Sequence, residues 1–120
     1  MAVSLATINV NDIAEVPKRA KVFHSLLSSN FDIFLLQETH LSSDVQGKEW
    51  EKEWEVEAAW SPGSNRSAGV AVLFHPRSTA KLADFQTDLS GRVVTVKIDL
   101  DGKTLQIINV YAPNNHSDQK

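Results

Sequence analysis

Ile33-Phe34-Leu35-Leu36-Gln37-Glu38-Thr39-His40 passes without a break from four apolar residues to four polar ones. A strand with one wet face would alternate, so a short continuous apolar run suits a strand covered on both faces. The run therefore predicts a central strand of a layered protein, with a carboxylate, Glu38, at its C-terminal end.

Upstream, Val3 to Val10 (VSLATINV) is rich in β-branched and apolar residues and reads as a second strand, ending in the polar group Asn9, Asn11 and Asp12. After Pro17, a good first-turn residue, Lys18 to Ser29 places Val22, Phe23, Leu26 and Leu27 at helical spacing. This predicts an amphipathic helix covering a sheet. Lys18, Arg19 and Lys21 fall elsewhere around the wheel; a solvated face is the simpler reading and contact with a DNA backbone the alternative.

Downstream, Trp50 to Ala59 mixes charged and aromatic residues and is read as a helical turn followed by a strand, with Trp50, Trp54 and Trp60 as packing residues rather than base-stacking ones. Residues 61–67 are dense in turn formers and predict a loop. Gly69 to Phe74 is another buried-type strand. Arg92 to Asp99, the pair Asp101-Gly102 and Thr104 to Tyr111 form the pattern of a hairpin, again ending in polar groups at Tyr111 and Asn114. His116 to Lys120 reads as a frayed end. The two buried-type strands need cover on both sides and one covering helix is evident, so an exposed apolar face is expected.

The composition is ordinary for a single small domain: 120 residues, 42% hydrophobic and 22% charged. The absence of cysteine removes disulfides, thiolate catalysis and sulfur-ligated zinc together, so any metal must sit on oxygen or imidazole. A formal net charge of -3 gives no global pull toward nucleic acid, although a nuclease site must itself carry carboxylates to hold a cation. No apolar run approaches the length of a membrane span and the N-terminus lacks the pattern of a secretion signal. The expectation is a soluble, intracellular chain with no membrane partner.

Three strands thus end in polar clusters, around Asn9, Glu38 and Tyr111, at the edge where α/β sheets commonly collect active sites. Their chemical content is one carboxylate, several amides and a phenol, which suits a hard cation such as Mg²⁺ that keeps waters for a substrate phosphate to displace.

The strings Ile8-Asn9-Val10-Asn11, Leu36-Gln37-Glu38-Thr39-His40 and Asn109-Val110-Tyr111-Ala112-Pro113-Asn114 resemble, in that order, the first three motifs of the endonuclease/exonuclease/phosphatase superfamily. Ala68 to Leu73 and Gly91-Arg92 resemble its intervening pattern. The Gln-Glu-Thr-His and Asn-Val-Tyr-Ala-Pro-Asn forms look most like endonuclease domains of non-LTR retrotransposons. The resemblance implies an α/β (α+β) sandwich of two packed sheets with outer helices, residues 1–120 being its N-terminal part. On this reading the chain supplies roughly the first sheet with its covering helix and is truncated before the later motifs, including the Asp-His pair that activates water.

The same resemblance implies site roles. Glu38 would bind Mg²⁺, or Mn²⁺, with Asn9 lining the metal site and touching the scissile phosphate. Tyr111 would steady the developing charge, and Asn11 and Asn114 would contact substrate. Read without the family, Asn9 closes a turn, Tyr111 is a half-buried strand-end aromatic and Glu38 a solvated acid. His40 is left without a role, having no evident acidic partner. Asp12-Ile13 stands where the retrotransposon pattern has Gly-Leu. The implied partners are DNA and the missing C-terminal half of the domain, and the implied compartment is the nucleus. Two alternatives stay open: a phosphatase or phospholipase of the same superfamily, and a non-catalytic fragment or binding module.

Overall fold

In the computed structural model, which describes residues 3–64, 67–88 and 90–112, the apolar run becomes strand β2 (Ile33–Gln37). It pairs in parallel with β1 (Leu5–Asn9), and the helix α1 (Val16–Leu27) connects the two. On its other side β2 runs antiparallel to β4 (Val70–Phe74), which pairs with β3 (Ala58–Ser61). The first sheet is thus ordered β1-β2-β4-β3. The second is an antiparallel meander of β5 (Lys81–Thr87), β6 (Val93–Leu100) and β7 (Lys103–Val110). Asp101 and Gly102 close the β6–β7 hairpin with φ of 50° and 76°, the double positive φ that a two-residue type I′ turn requires.

The alternation of side chains along a strand explains why β2 is apolar throughout. Phe34 and Leu36 enter one core with Phe23, Leu26, Trp50 and Trp54, beneath the helices. Ile33 and Leu35 enter another with Val94, Val96 and Ile98 of the second sheet. Burying each such side chain contributes about 1.5–3 kcal/mol, so the two faces of β2 and β4 carry much of the stability.

The cover for these strands corrects two expectations. The central strands do not expose an apolar face: one side lies under helices and the other under the second sheet. The chain also supplies strands to both sheets of the sandwich rather than to the first alone. The second cover on the helical side is α2 (Asp44–Trp54), where the sequence suggested only a turn near Trp50. Ser43 caps α2 by accepting from Gln46 N, and Trp54 Nε1 donates to Phe74 O at 3.1 Å, tying the helix to the sheet. All three tryptophans are buried packing residues.

Arg19 also departs from expectation. It is 3% exposed, its guanidinium pairs with Glu53 at 2.9 Å, donates to Ile13 O and Ala14 O, and lies 4.6 Å from the Trp50 ring. It joins α1, α2 and the loop after β1, and faces neither solvent nor a DNA backbone. Of the exposed large apolar residues, Leu5, Leu105, Ile108 and Val110 lie on the edge strands β1 and β7, and the others lie on the helices, the α1–β2 loop and β5.

Candidate active site

β1 and β2 are parallel and end in register, Asn9 opposite Gln37, which puts the loops that follow them side by side. Asn9 Oδ1 accepts from Asn11 N at 2.9 Å, an Asx turn that leaves the amide nitrogen aimed away. That nitrogen donates to Glu38 Oε2 at 2.9 Å. The loops are then stitched together by Asp12 N to Glu38 O at 2.7 Å and Ile13 N to Thr39 O at 3.2 Å.

Four non-glycine residues here, Asn11, Asp12, Glu38 and His40, have φ between 50° and 71°. Such backbone costs of order 1–3 kcal/mol per residue and persists where the surroundings over-determine it, often at functional sites. The surroundings do so here: Thr39 N and His40 N donate to Gly69 O and Ala68 O, both at 3.0 Å, holding the second loop from its other side. Asp12 keeps the tight turn despite standing where the resembling pattern has glycine. Its Oδ1 accepts from Ala14 N at 2.9 Å, and short polar side chains tolerate this region because they bond locally.

The third strand end comes from the other sheet. Tyr111 N donates to Arg92 O at 2.7 Å, continuing the β6–β7 ladder past its last paired residue, and the phenol donates to Glu38 Oε1 at 2.9 Å. Both carboxylate oxygens of Glu38 are therefore held, one from each sheet. Burial pushes the Tyr111 phenol above its ordinary 10.0, and the bond to Glu38 and that carboxylate's charge push it the same way, with Arg92 opposing. The phenol is a donor at neutral pH.

Thus Asn9, Glu38 and Tyr111 converge through two hydrogen bonds, and Asn9 and Tyr111 also line a cleft of about 560 Å³ between β1, β2 and β7. Asn11 stands at the rim, exposed, with its N–H on Asn9 and its carbonyl taken by Lys18 Nζ. Asn114 lies outside the described residues, as do Pro113 and the tail from His116. His40 does have an acidic neighbour, Asp12 Oδ2 at 3.3 Å from Nδ1, although that nitrogen makes no well-formed hydrogen bond. His75 is structural: its ring lies 3.0 Å from Leu27 O. A larger groove of about 1120 Å³ opens at the opposite sheet edges, between α2 and β5, and none of the three strand-end residues reaches it.

Two residues without a sequence-based role belong to the site. Asn109, 3% exposed, donates to Leu36 O at 3.0 Å and Ala71 O at 2.9 Å and accepts from Gln37 Nε2 at 2.8 Å. Gln37 Nε2 also reaches Thr7 Oγ1 at 3.0 Å. The signal was present in β7: Leu105, Ile107, Asn109 and Tyr111 share one face by alternation, and an amide on an apolar inward face needs partners.

Among the described residues no cluster of three or more His, Cys, Asp or Glu side chains could by itself hold a metal ion. The hard anionic oxygen donor at the junction is the Glu38 carboxylate, toward which Asn9 turns its nitrogen and Tyr111 its O–H. One carboxylate fits part of a Mg²⁺ shell, since that ion takes one or two carboxylates and leaves other positions to water and phosphate.

The sandwich is a fold shared with solved nuclease-family catalytic domains, of which two are similar along most of this chain. The chain superposes on the AP endonuclease LMAP from Leishmania major with a TM-score of 0.65 at 19% identity, over 91% of this chain and 40% of that one. It superposes on the APE2 catalytic domain of Xenopus laevis with a TM-score of 0.64 at 19% identity, over 98% of this chain and 47% of that one. In sequence it is 26% identical over 113 residues to the Transposon TX1 uncharacterized 149 kDa protein of Xenopus laevis, covering 94% of this chain and 9% of that protein. The chain therefore spans less than half of either structural neighbour and under a tenth of the transposon protein. No protein-family model matches it. No helix among the described residues is long and apolar enough to cross a membrane.

Proposed function

We propose that this chain forms the metal- and phosphate-binding part of a Mg²⁺-dependent phosphodiesterase that nicks DNA, of the retrotransposon endonuclease kind, acting in the nucleus. The observation that carries the reading is Glu38, a strand-end carboxylate on left-handed backbone, held by Asn9 from one sheet and Tyr111 from the other. A nucleic-acid substrate is favoured over a phosphomonoester or lipid by the transposon relative and by a structural neighbour named as an AP endonuclease.

In this reading Glu38 anchors the cation, with Mn²⁺ as a substitute. The bound ion supplies charge neutralisation on the phosphate. Asn9 fixes the rotamer of Glu38 and presents its amide toward a phosphate oxygen. Tyr111, whose single O–H rests on Glu38 Oε1, turns that O–H toward the developing negative charge on the phosphate. Asn11 and Asn114 border the substrate path. Of Glu38 and Tyr111, neither takes a proton from water: Tyr111 holds its own, and Glu38 accepts from Asn9 and Tyr111. The general base is supplied by a further segment of the domain docking along β1 and β7.

The test is relaxation of supercoiled plasmid with Mg²⁺ by this chain alone, by the chain joined to the downstream part of its parent domain, and by that assembly carrying Glu38→Gln. Nicking is expected from the assembly only, and Glu38→Gln abolishes it. An assembly that leaves DNA intact but releases phosphate from monoesters would overturn the DNA assignment.

A further inference from the structure

We propose that Asn109 is a positioning residue, the inter-sheet pin that sets where the β6–β7 hairpin seats against the first sheet and so delivers Tyr111 to Glu38. The functional consequence rests on the reading of Glu38 and Tyr111 above; the structural claim does not.

Between the sheets the interior is made of interdigitated apolar side chains, and other inter-sheet hydrogen bonds lie at the β3, β5 and β6 ends, as in Gly69 N to Gly91 O, Ser61 Oγ to Asp88 Oδ1 and Leu82 N to Glu57 Oε1. Apolar contact is non-directional, so it holds sheets together without specifying their relative position to the ångström. Asn109 is directional. Its nitrogen donates to carbonyls of Leu36 and Ala71, which are register partners on β2 and β4, so the amide sits over the seam between those strands. Its oxygen accepts from Gln37, the residue between Leu36 and Glu38. One side chain thereby engages two adjacent residues of β2 and their neighbour on β4.

Tyr111 lies two residues further along the same face of β7, and Glu38 lies two beyond Leu36 on β2. A strand advances about 3.3 Å per residue, so a slip of two residues that preserves the buried face would carry the phenol roughly 6–7 Å from its place. The 2.9 Å bond to Glu38 does not survive such a shift. Asn109 blocks the slip, because moving it strands an amide in the interior without partners. Valine or leucine would fill the position without that restraint.

Tyr111 is the sole tyrosine of the chain, so ring labelling gives a single set of NMR signals. In Asn109→Ala, the Tyr111 ring and hydroxyl signals are expected to move toward those of free tyrosine and the contacts to Glu38 to be lost. The Trp54 indole N–H, bonded to Phe74 O, reports that the first sheet remains folded. Should Asn109→Ala not fold, Asn109→Ser, which keeps one donor, is judged by the same criterion. A folded variant with wild-type Tyr111 signals overturns the proposal. In the nicking assembly Asn109→Ala should lower kcat at least tenfold. In a Tyr111→Phe background it should lower kcat less than threefold further, because it acts through that residue. Additive losses overturn the positioning role. An assembly that never nicks DNA sinks the functional reading, while the NMR result still decides Asn109.

Discussion

Tyr111 and Glu38, 73 residues apart in the chain, join the ends of β7 and β2 by a 2.9 Å hydrogen bond from the phenol to carboxylate oxygen Oε1. The second carboxylate oxygen accepts from Asn9 at the same distance. A single acidic side chain is thus the meeting point of both sheets, and changes at its three corners have different consequences.

Glu38→Gln should reduce affinity for Mn²⁺ or Mg²⁺ at least tenfold, since Glu38 is the carboxylate at which the three strand ends meet. Isothermal titration of each ion against wild type and variant measures it. Equal affinities would place any cation site elsewhere.

Tyr111→Phe keeps the ring and removes the donor. In the proposed nuclease assembly the expected loss in kcat is roughly a hundredfold, the scale of removing one donor to developing charge. Plasmid nicking rates at saturating substrate decide it; a rate within twofold of wild type would reduce Tyr111 to a packing residue.

The same phenol makes a pH prediction. Its folded pKa is raised above 10.0 by burial first and by Glu38 second, so the native state holds this proton more tightly than the unfolded chain. The associated stability is complete below the unfolded value and is lost as pH rises through the folded one. Absorbance titration of the single tyrosine should show ionisation displaced upward, and Glu38→Gln should bring it down.

Asp88 gives the acid-side counterpart. Burial alone would raise its carboxyl, but hydrogen bonds from Ser90, Val93 N, Arg92 N and Ser61 outweigh this and bring it from 3.8 to about 2. Its stabilisation is present above pH 3.8 and disappears as pH falls toward about 2. Asp88→Asn should cost about 1 kcal/mol at neutral pH, allowing for its largely solvent-screened position, and should flatten the acid limb of urea midpoints against pH.

Gly69→Ala tests the support beneath Glu38. The new Cβ would lie 2.4 Å from Thr39 Oγ1, on backbone with φ of 88°, and Thr39 is fully buried. A loss of about 2–3 kcal/mol in urea unfolding is expected, from the strained backbone and the displaced Thr39 together. Wild-type stability would show that the loop yields without cost.

The elements legible in the chain are those with strong local pattern. β2 and β4 announce themselves as continuous apolar runs, β1 by its β-branched residues, α1 by its spacing after Pro17, and the β6–β7 hairpin by Asp101-Gly102. α2 was largely hidden because its buried side is only Gly47, Trp50 and Trp54 among charged residues, and the cap at Ser43 was its one clear signal. β5 was missed because it is an edge strand, exposed along most of its length, and carries no alternation. Arg19 looked like one of three surface cations because burial of a guanidinium depends on acceptors 5, 6 and 34 residues away.

By itself the sequence determined which strands are central and which of their ends are polar, because burial on two faces and turn chemistry are properties of neighbouring residues. Only the tertiary structure decided that Asn9, Glu38 and Tyr111 share one point, that Asp12 stands beside His40, and that Asn109 pins the second sheet to the first. Those relations depend on register between strands and on the distance between sheets. Both are set by the joint packing of two cores, which no local stretch of residues encodes.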